Sequence, residues 1–185
     1  NCAPCHKFKN EGADFAPNAF VRIAMDGRVT VIVNKSEMGQ GISTSLTMVV
    51  AEELDADWSR VGFEFAPADL VYAHPGYGIQ MTGGSTSTLA MSEPMRRAGA
   101  AARAVLVEAA ARKWGVAASE CRTENGQVLH DASKRRAGYG ELVEAAAGIE
   151  APAEVALKDP KDFKILGKPT RRLDTPDKIS GKAVF

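Results

Sequence analysis

Residues 36–41 read SEMGQG, which sets Gly39 and Gly41 on either side of Gln40, directly ahead of an amphipathic run. Glycines let a backbone come close to a bound group. A helix beginning near Ile42 would present free N–H groups and the positive end of its dipole, which suits phosphate. The Gln40 amide both donates and accepts. On these three residues alone, a plain strand-to-helix turn explains the pattern as well. Residues 82–87, TGGSTS, repeat the theme. Gly83 and Gly84 stand among the hydroxyls of Thr82, Ser85, Thr86 and Ser87, again ahead of a helix. Amides and hydroxyls at that density suit a polar, anionic group, while an N-cap with spare hydroxyls is the plainer alternative. Neither stretch is a P-loop or a dinucleotide fingerprint: no Gly-Lys-Ser/Thr follows, and no third glycine has the required spacing. Each strengthens the other, because two glycine-rich stretches ahead of two helices can meet at one end of one sheet.

A third pattern lies at Cys2, Cys5 and His6. Cys-x-x-Cys-His is the attachment pattern of c-type haem, in which the histidine ligates the iron. A haem domain also needs chain to bury the ring and a second axial ligand. The first β-rich run already begins at Ala19, and His74, His130, Met25, Met38 and Met48 stand in no recognisable site. A chance match, a remnant of a haem segment and a Cys2–Cys5 pair are the alternatives. Cys121 reads as an ordinary buried thiol. Glu52, Glu53 and Asp55 read as a solvated helix face. His74, in a loop, reads as exposed but able to approach a ligand. No Ser-His-Asp arrangement and no further His/Cys metal spacing stands out.

The elements that must hold these stretches follow from periodicity. Residues 19–34 alternate around Asp26-Gly27, a hairpin signal, with Phe20, Ile23, Val29, Ile32 and Val33 as core contributors. Ile42, Leu46, Val49, Val50 and Leu54 recur at helical spacing, predicting a helix over 42–56. RVGFEFAP, 60–67, reads as a strand ended by Pro67. Residues 68–84 form a long glycine-rich loop, a type that is often functional. A long Ala-rich helix follows from about Ser85 to Lys113, burying Ala98, Ala102, Val105, Leu106 and Ala109. Pro94 should kink it or reset its start. Residues 121–131 form a second hairpin turning at Asn125-Gly126, and 138–149 a short helix with Leu142, Val143 and Ala146 inward. The expected class is α+β, or mixed α/β: two layers, a sheet of hairpins and two main helices. Residues 1–14 read as an extension, 15–150 as the principal domain segment, and 151–185 as a connection opening onto a following domain.

The bulk properties exclude little but agree. With 185 residues, 45% hydrophobic and 25% charged, the chain suits a soluble globular protein. Its net charge of zero gives no general pull toward nucleic acid or anionic lipid. Arg103, Glu108 and Arg112 interrupt the longest apolar stretch, so no membrane span is expected. The chain opens at Asn1 without an initiator Met or signal peptide, and it closes on ISGKAVF, which reads as the start of a strand. Both ends suggest a piece of something larger.

Taken in order, PNAFVRI, EMGQG, AEELDADWS, TGGSTS, RAGAAAR and RLDTPDKISGKAVF resemble the molybdopterin-binding large subunit of the xanthine dehydrogenase and aldehyde oxidase family, with most similarity to the isoquinoline 1-oxidoreductase β-subunit branch. The resemblance covers about residues 15–185. It implies that Gly39-Gln40-Gly41 and Thr82–Ser87 cradle a molybdopterin, often as its cytosine dinucleotide, with molybdenum held by the pterin dithiolene rather than by protein ligands. The family's contacts map most directly onto Gln40, Gly83, Gly84, Ser85 and Ser87, and next onto Met38, Thr82 and Thr86. The implied chemistry is hydroxylation of an aldehyde or an N-heteroaromatic carbon, with electrons leaving to a 2Fe-2S subunit. The family's catalytic glutamate lies in a later segment, so no residue of this chain is expected to be catalytic, and the chain alone should not turn over. The remainder of the molybdenum subunit is the first implied partner and a c-type cytochrome is a further one. The periplasm is the expected setting, with the cytoplasm as the alternative. A non-catalytic scaffold of the same fold and a small c-type haem electron carrier are the competing functions.

Overall fold

Asp26 and Gly27 turn the chain between its first long strands. Gly27 has φ +84°, its N–H donates to the Ala24 carbonyl, and the Asp26 carboxylate accepts from the Arg28 N–H. A computed structural model describes residues 14–183 of the chain. The Asp26-Gly27 turn joins β2 (Val21–Ile23) to β3 (Val29–Val33), paired antiparallel with Val21 opposite Val31. Of the apolar residues expected there, Ile23, Val29, Ile32 and Val33 are buried and Phe20 is half-buried. The strand β1 (Phe15–Asn18), which the hydrophobic pattern does not announce, pairs with β2 on the far edge.

After β3 the chain crosses over through α1 (Ile42–Leu54) and returns as β4 (Val61–Phe65), parallel to β3 from Val29–Val61 to Val33–Phe65. The sheet order is β1-β2-β3-β4. Parallel pairing follows from the helical crossover, since only a connection of that length can bring the second strand back in the same direction. The aliphatic stripe of α1 faces this sheet, and Leu46, Val50 and Leu54 are fully buried with Val21, Ile23 and Val31.

The long helix α2 (Ser87–Trp114) lies on α1. Its alanines and Gly99 allow a close approach: a Cβ on Gly99 would stand 2.6 Å from the Val50 carbonyl oxygen. Ser85 and Thr86 precede the helix rather than open it. Pro94 sits inside α2 without resetting its start, so it leaves only the Ala90 carbonyl without its usual helical partner.

A second sheet, β5 (Cys121–Glu124), β6 (Gln127–His130) and β7 (Arg135–Gly138), turns at Asn125-Gly126, where both residues have positive φ. The third strand was not expected from its charged residues. A short helix α3 (Val143–Ala146) buries Leu142, Val143 and Ala146 as expected. The whole is a mixed α+β fold of two sheets and packed helices.

The solvated acidic face expected on α1 is not found. Glu52 and Glu53 are essentially sealed from water, and Asp55 is nearly so at its side chain. The later chain folds back over them. Lys158 Nζ reaches Glu52 at 3.1 Å and Asp55 at 2.6 Å. The Glu52 carboxylate accepts from the backbone N–H groups of Lys164, Ile165 and Leu166. Arg96 Nε and the Lys158 N–H bind Glu53. Tertiary partners thus replace the water that the sequence pattern implied. Residues 175–179 form the short helix α4 (Thr175–Ile179), with Pro176 in its first turn, where its missing N–H costs nothing; the strand expected over 179–185 runs beyond the described residues.

Candidate functional site

The carboxyl ends of the parallel strands β3 and β4 open into a cleft of about 880 Å³. This is where α/β folds with helical crossovers bind ligands, because strand ends and helix starts converge there. Val33, Phe63 and Phe65 form an apolar floor, and the two phenyl rings meet edge to face at 5.5 Å. Ser36 to Gly39 of the first glycine-rich stretch and Thr82 of the second lie on the rim, and the two stretches touch. The Ser36 N–H donates to Thr82 Oγ1 at 2.8 Å, and Lys35 Nζ donates to the Met81 carbonyl at 2.8 Å. α4 closes a third side through Asp174, Asp177 and Lys178.

The first loop does not keep its helix start free. Glu37, inside the SEMGQG stretch itself, folds its carboxylate onto that start. It accepts from the N–H groups of Gly39 at 2.8 Å, Gly41 at 3.0 Å and Ser43 at 3.1 Å, and from Ser43 Oγ at 2.8 Å. Arg172 closes the far side, binding Glu37 at 3.0 Å and the Gly39 carbonyl at 2.8 Å. Burial opposes the charge on Glu37, yet these donors outweigh it and lower its carboxyl to about 2. The phosphate expected at α1 is therefore answered by an internal carboxylate. Gln40 likewise braces its own loop: its Oε1 accepts from the Met38 N–H at 2.7 Å and its Nε2 donates to the Ser36 carbonyl at 2.8 Å. Gly39 and Gly41, at φ +104° and +85°, adopt backbone that an L side chain resists.

The second loop is more open. No side chain caps α2. Ser85, at φ +55°, and Ser87 make no side-chain hydrogen bond among the described residues, while Gly84 turns at φ +64°. Thr86 is committed: its hydroxyl donates to the Gly83 carbonyl and meets His74 Nε2, both at 3.0 Å. His74 is buried, contrary to the exposed loop histidine expected. Its Nδ1 accepts from the Gly76 N–H at 3.0 Å, which places the ring proton on Nε2, and it stacks on Tyr77.

Of the residues singled out in the sequence, Met38, Gly39 and Thr82 line the cleft, while Gln40, Gly41 and Gly83 to Ser87 lie behind its rim. Cys2, Cys5 and His6 lie outside the described residues. Among the described residues no cluster of His, Cys, Asp or Glu has metal-binding geometry, and no helix is long and apolar enough to cross a membrane. Cys121 is half-buried, and burial raises its thiol pKa. Glu37, Arg172, Asn34 and Lys35 went unnoticed in the sequence. The only signal was a lysine and an asparagine closing an otherwise aliphatic strand.

Comparison with known proteins gives this site a context. The family described as molybdopterin cofactor-binding domain matches residues 2–176. Isoquinoline 1-oxidoreductase subunit beta of Brevundimonas diminuta is 38% identical over 208 residues, covering 94% of this chain and 27% of that protein. The membrane-bound aldehyde dehydrogenase (pyrroloquinoline-quinone) of Gluconacetobacter polyoxogenes is 33% identical, over 92% of this chain and 22% of its own length. The chain therefore spans about a quarter of the length of these relatives. The crystal structure of quinoline 2-oxidoreductase from Pseudomonas putida 86 superposes on 77% of this chain and 19% of that one, with a TM-score of 0.53 at 22% identity. That likeness shows a shared fold.

Proposed function

The chain belongs to the molybdopterin cofactor-binding domain family, and from that premise we propose that its cleft forms one wall of the cofactor site in the large subunit of a molybdenum hydroxylase. The observation that carries this reading is the direct junction of the two glycine-rich loops, Ser36 to Thr82, above the carboxyl ends of β3 and β4. Donors that suit a polar, phosphorylated ligand lie on and just behind the rim: Gly39 and Thr82 line it, and the uncapped start of α2 with the Ser85 and Ser87 hydroxyls, unbonded among the described residues, follows Thr82 in the chain. Gly39, Gln40, Gly41 and Thr82 to Ser87 are the proposed contacts. Glu37 holds the first loop in shape, so an anionic group is directed toward the start of α2. When bound, the molybdenum cofactor supplies transfer of a water-derived hydroxyl to an electron-poor carbon of an aldehyde or N-heteroaromatic. This chain's residues bind and orient the cofactor and exclude water along the Phe63–Phe65 floor.

The cytosine dinucleotide form, a 2Fe-2S subunit as electron acceptor, a c-type cytochrome beyond it and a periplasmic setting complete the proposal. In its domain plan, residues 15–150 contribute the cofactor-binding segment and 151–185 lead into a following domain after docking on α1. The relatives named for isoquinoline and aldehyde oxidation support the proposed substrate classes. Native mass spectrometry of the assembled subunit, with molybdenum and pterin measured on the same sample, is the test. The expected result is a complex carrying both, with the content reduced by Gln40→Ala. A complex free of molybdenum and pterin would overturn the reading.

A further inference from the structure

Lys35 is 2% exposed, and its ammonium borders the cleft. Of its three donors, one is used, toward the Met81 carbonyl at 2.8 Å. Among the described residues no carboxylate pairs with it. The acidic groups on the same cleft are otherwise occupied: Glu37 and Asp174 pair with Arg172 and Lys178, and Asp177 is exposed to solvent. Beside Lys35, Asn34 is 3% exposed and lines the same cleft. Its Nδ2 donates to the Tyr72 carbonyl at 2.8 Å, which fixes the amide orientation and leaves Oδ1 buried with no partner among the described residues. Lys35 has donors without acceptors and Asn34 Oδ1 is an acceptor without a donor, and buried polar groups left so are costly unless something answers them. Burial alone pushes the lysine pKa down, as expected of a charge awaiting a counter-charge.

We infer that Lys35 is the charged anchor of an oxyanion-binding subsite at the β3 end of the cleft, taking a phosphate or carboxylate oxygen of a ligand whose planar, apolar body lies on Phe63 and Phe65. The sources of that oxygen are a phosphate of the cofactor placed there under the proposed function, or the carboxylate of an aromatic substrate. The subsite itself rests on the buried Lys35 ammonium and not on which of these is bound; Asn34 Oδ1, an acceptor, is suited to a hydroxyl or N–H of the same ligand and not to its oxyanion.

The experiment uses the full chain with inorganic phosphate and, separately, benzoate as probes. Binding is followed by thermal shift and by the NMR signal of the Lys35 ammonium. Lys35→Gln keeps an N–H for the Met81 carbonyl but carries no charge, and Lys113→Gln, on the exposed end of α2, controls for general charge. The expected result is that one probe perturbs the Lys35 signal and stabilises the wild type and Lys113→Gln alike. In Lys35→Gln it binds about ten- to a hundredfold more weakly, the size of one charge-assisted hydrogen bond. A response to phosphate assigns the subsite to a phosphate-bearing ligand, and a response to benzoate assigns it to a carboxylate. An unchanged response in Lys35→Gln would overturn the inference. So would a Lys35 signal unmoved by either probe in the wild type, a result that does not depend on the variant folding. Molybdenum and pterin content, read on the assembled subunit, separates the two ideas: Lys35-dependent binding in a protein without pterin would leave the subsite standing and remove the proposed function.

Discussion

Glu37 shows how one carboxylate can decide what a loop does. Sealed against the start of α1 and met by four donors and Arg172, it fills the place that the glycine-rich stretch offered to a ligand. Its pKa lies below the ordinary value of 4.5, so its stabilisation is complete above about pH 4.5 and is lost as the pH falls toward about 2. Glu37→Gln should therefore destabilise the chain at pH 7 by about 1–3 kcal/mol in urea unfolding. The difference between variant and wild type should close in acid, and a gap that persists at low pH would show that the charge is not what the loop requires. Gln40 was picked out for an amide that faces both ways, and within the chain both faces are turned inward. A cofactor must therefore be met by that loop's backbone or by a rearranged Gln40 side chain.

At the scale of elements, the contact between α1 and α2 is set by Gly99. A methyl group placed there would meet the Val50 carbonyl at 2.6 Å and the Glu53 Cβ at 3.0 Å. Backbone cannot yield as a flexible side chain does, so Gly99→Ala should cost about 1–3 kcal/mol despite its better helix propensity. A variant as stable as the wild type in chemical denaturation would show that the helices can part at little cost. The latch between α4 and the first loop makes a separate expectation. Arg172 joins Glu37, Asp174 and the Gly39 carbonyl. Arg172→Ala should speed hydrogen exchange at Gly39 and Gly41 while the amides of β3 stay protected, and equal exchange in both proteins would count against the latch. The Ala-rich stripe, the crossover helix and both hairpin turns were legible from periodicity and turn residues. β1 and β7 were not, because a short edge strand with polar residues owes its pairing to its neighbour rather than to its own pattern.

Across the whole molecule, the segment from Lys158 to Leu166 acts as a strap over α1. Lys158 bridges Glu52 and Asp55, and three successive N–H groups close on Glu52. Burial raises the pKa of both carboxyls, but for Glu52 the N–H groups of Ile165, Leu166 and Lys164, and for Asp55 the Lys158 ammonium, prevail, and both lie below their usual values. Lys158→Met would strand two buried carboxylates, at a cost of about 3–5 kcal/mol, and limited proteolysis should then cut within 151–166. A strap that stays resistant would show that its backbone contacts alone hold it.

Local order alone determined the α+β class, the helix α1, the long small-residue helix, and the two glycine-rich stretches, because turn chemistry and hydrophobic spacing act over a few residues. The tertiary structure alone decided that β3 and β4 pair in parallel, that these stretches touch, that Glu37 occupies the start of α1, that Glu52, Glu53 and Asp55 are buried under a strap, and that Lys35 is buried with no counter-charge among the described residues. Each of these depends on partners up to more than a hundred residues away in the chain. A charged side chain reads the same in sequence whether water or a folded-back segment answers it, and only packing reveals which.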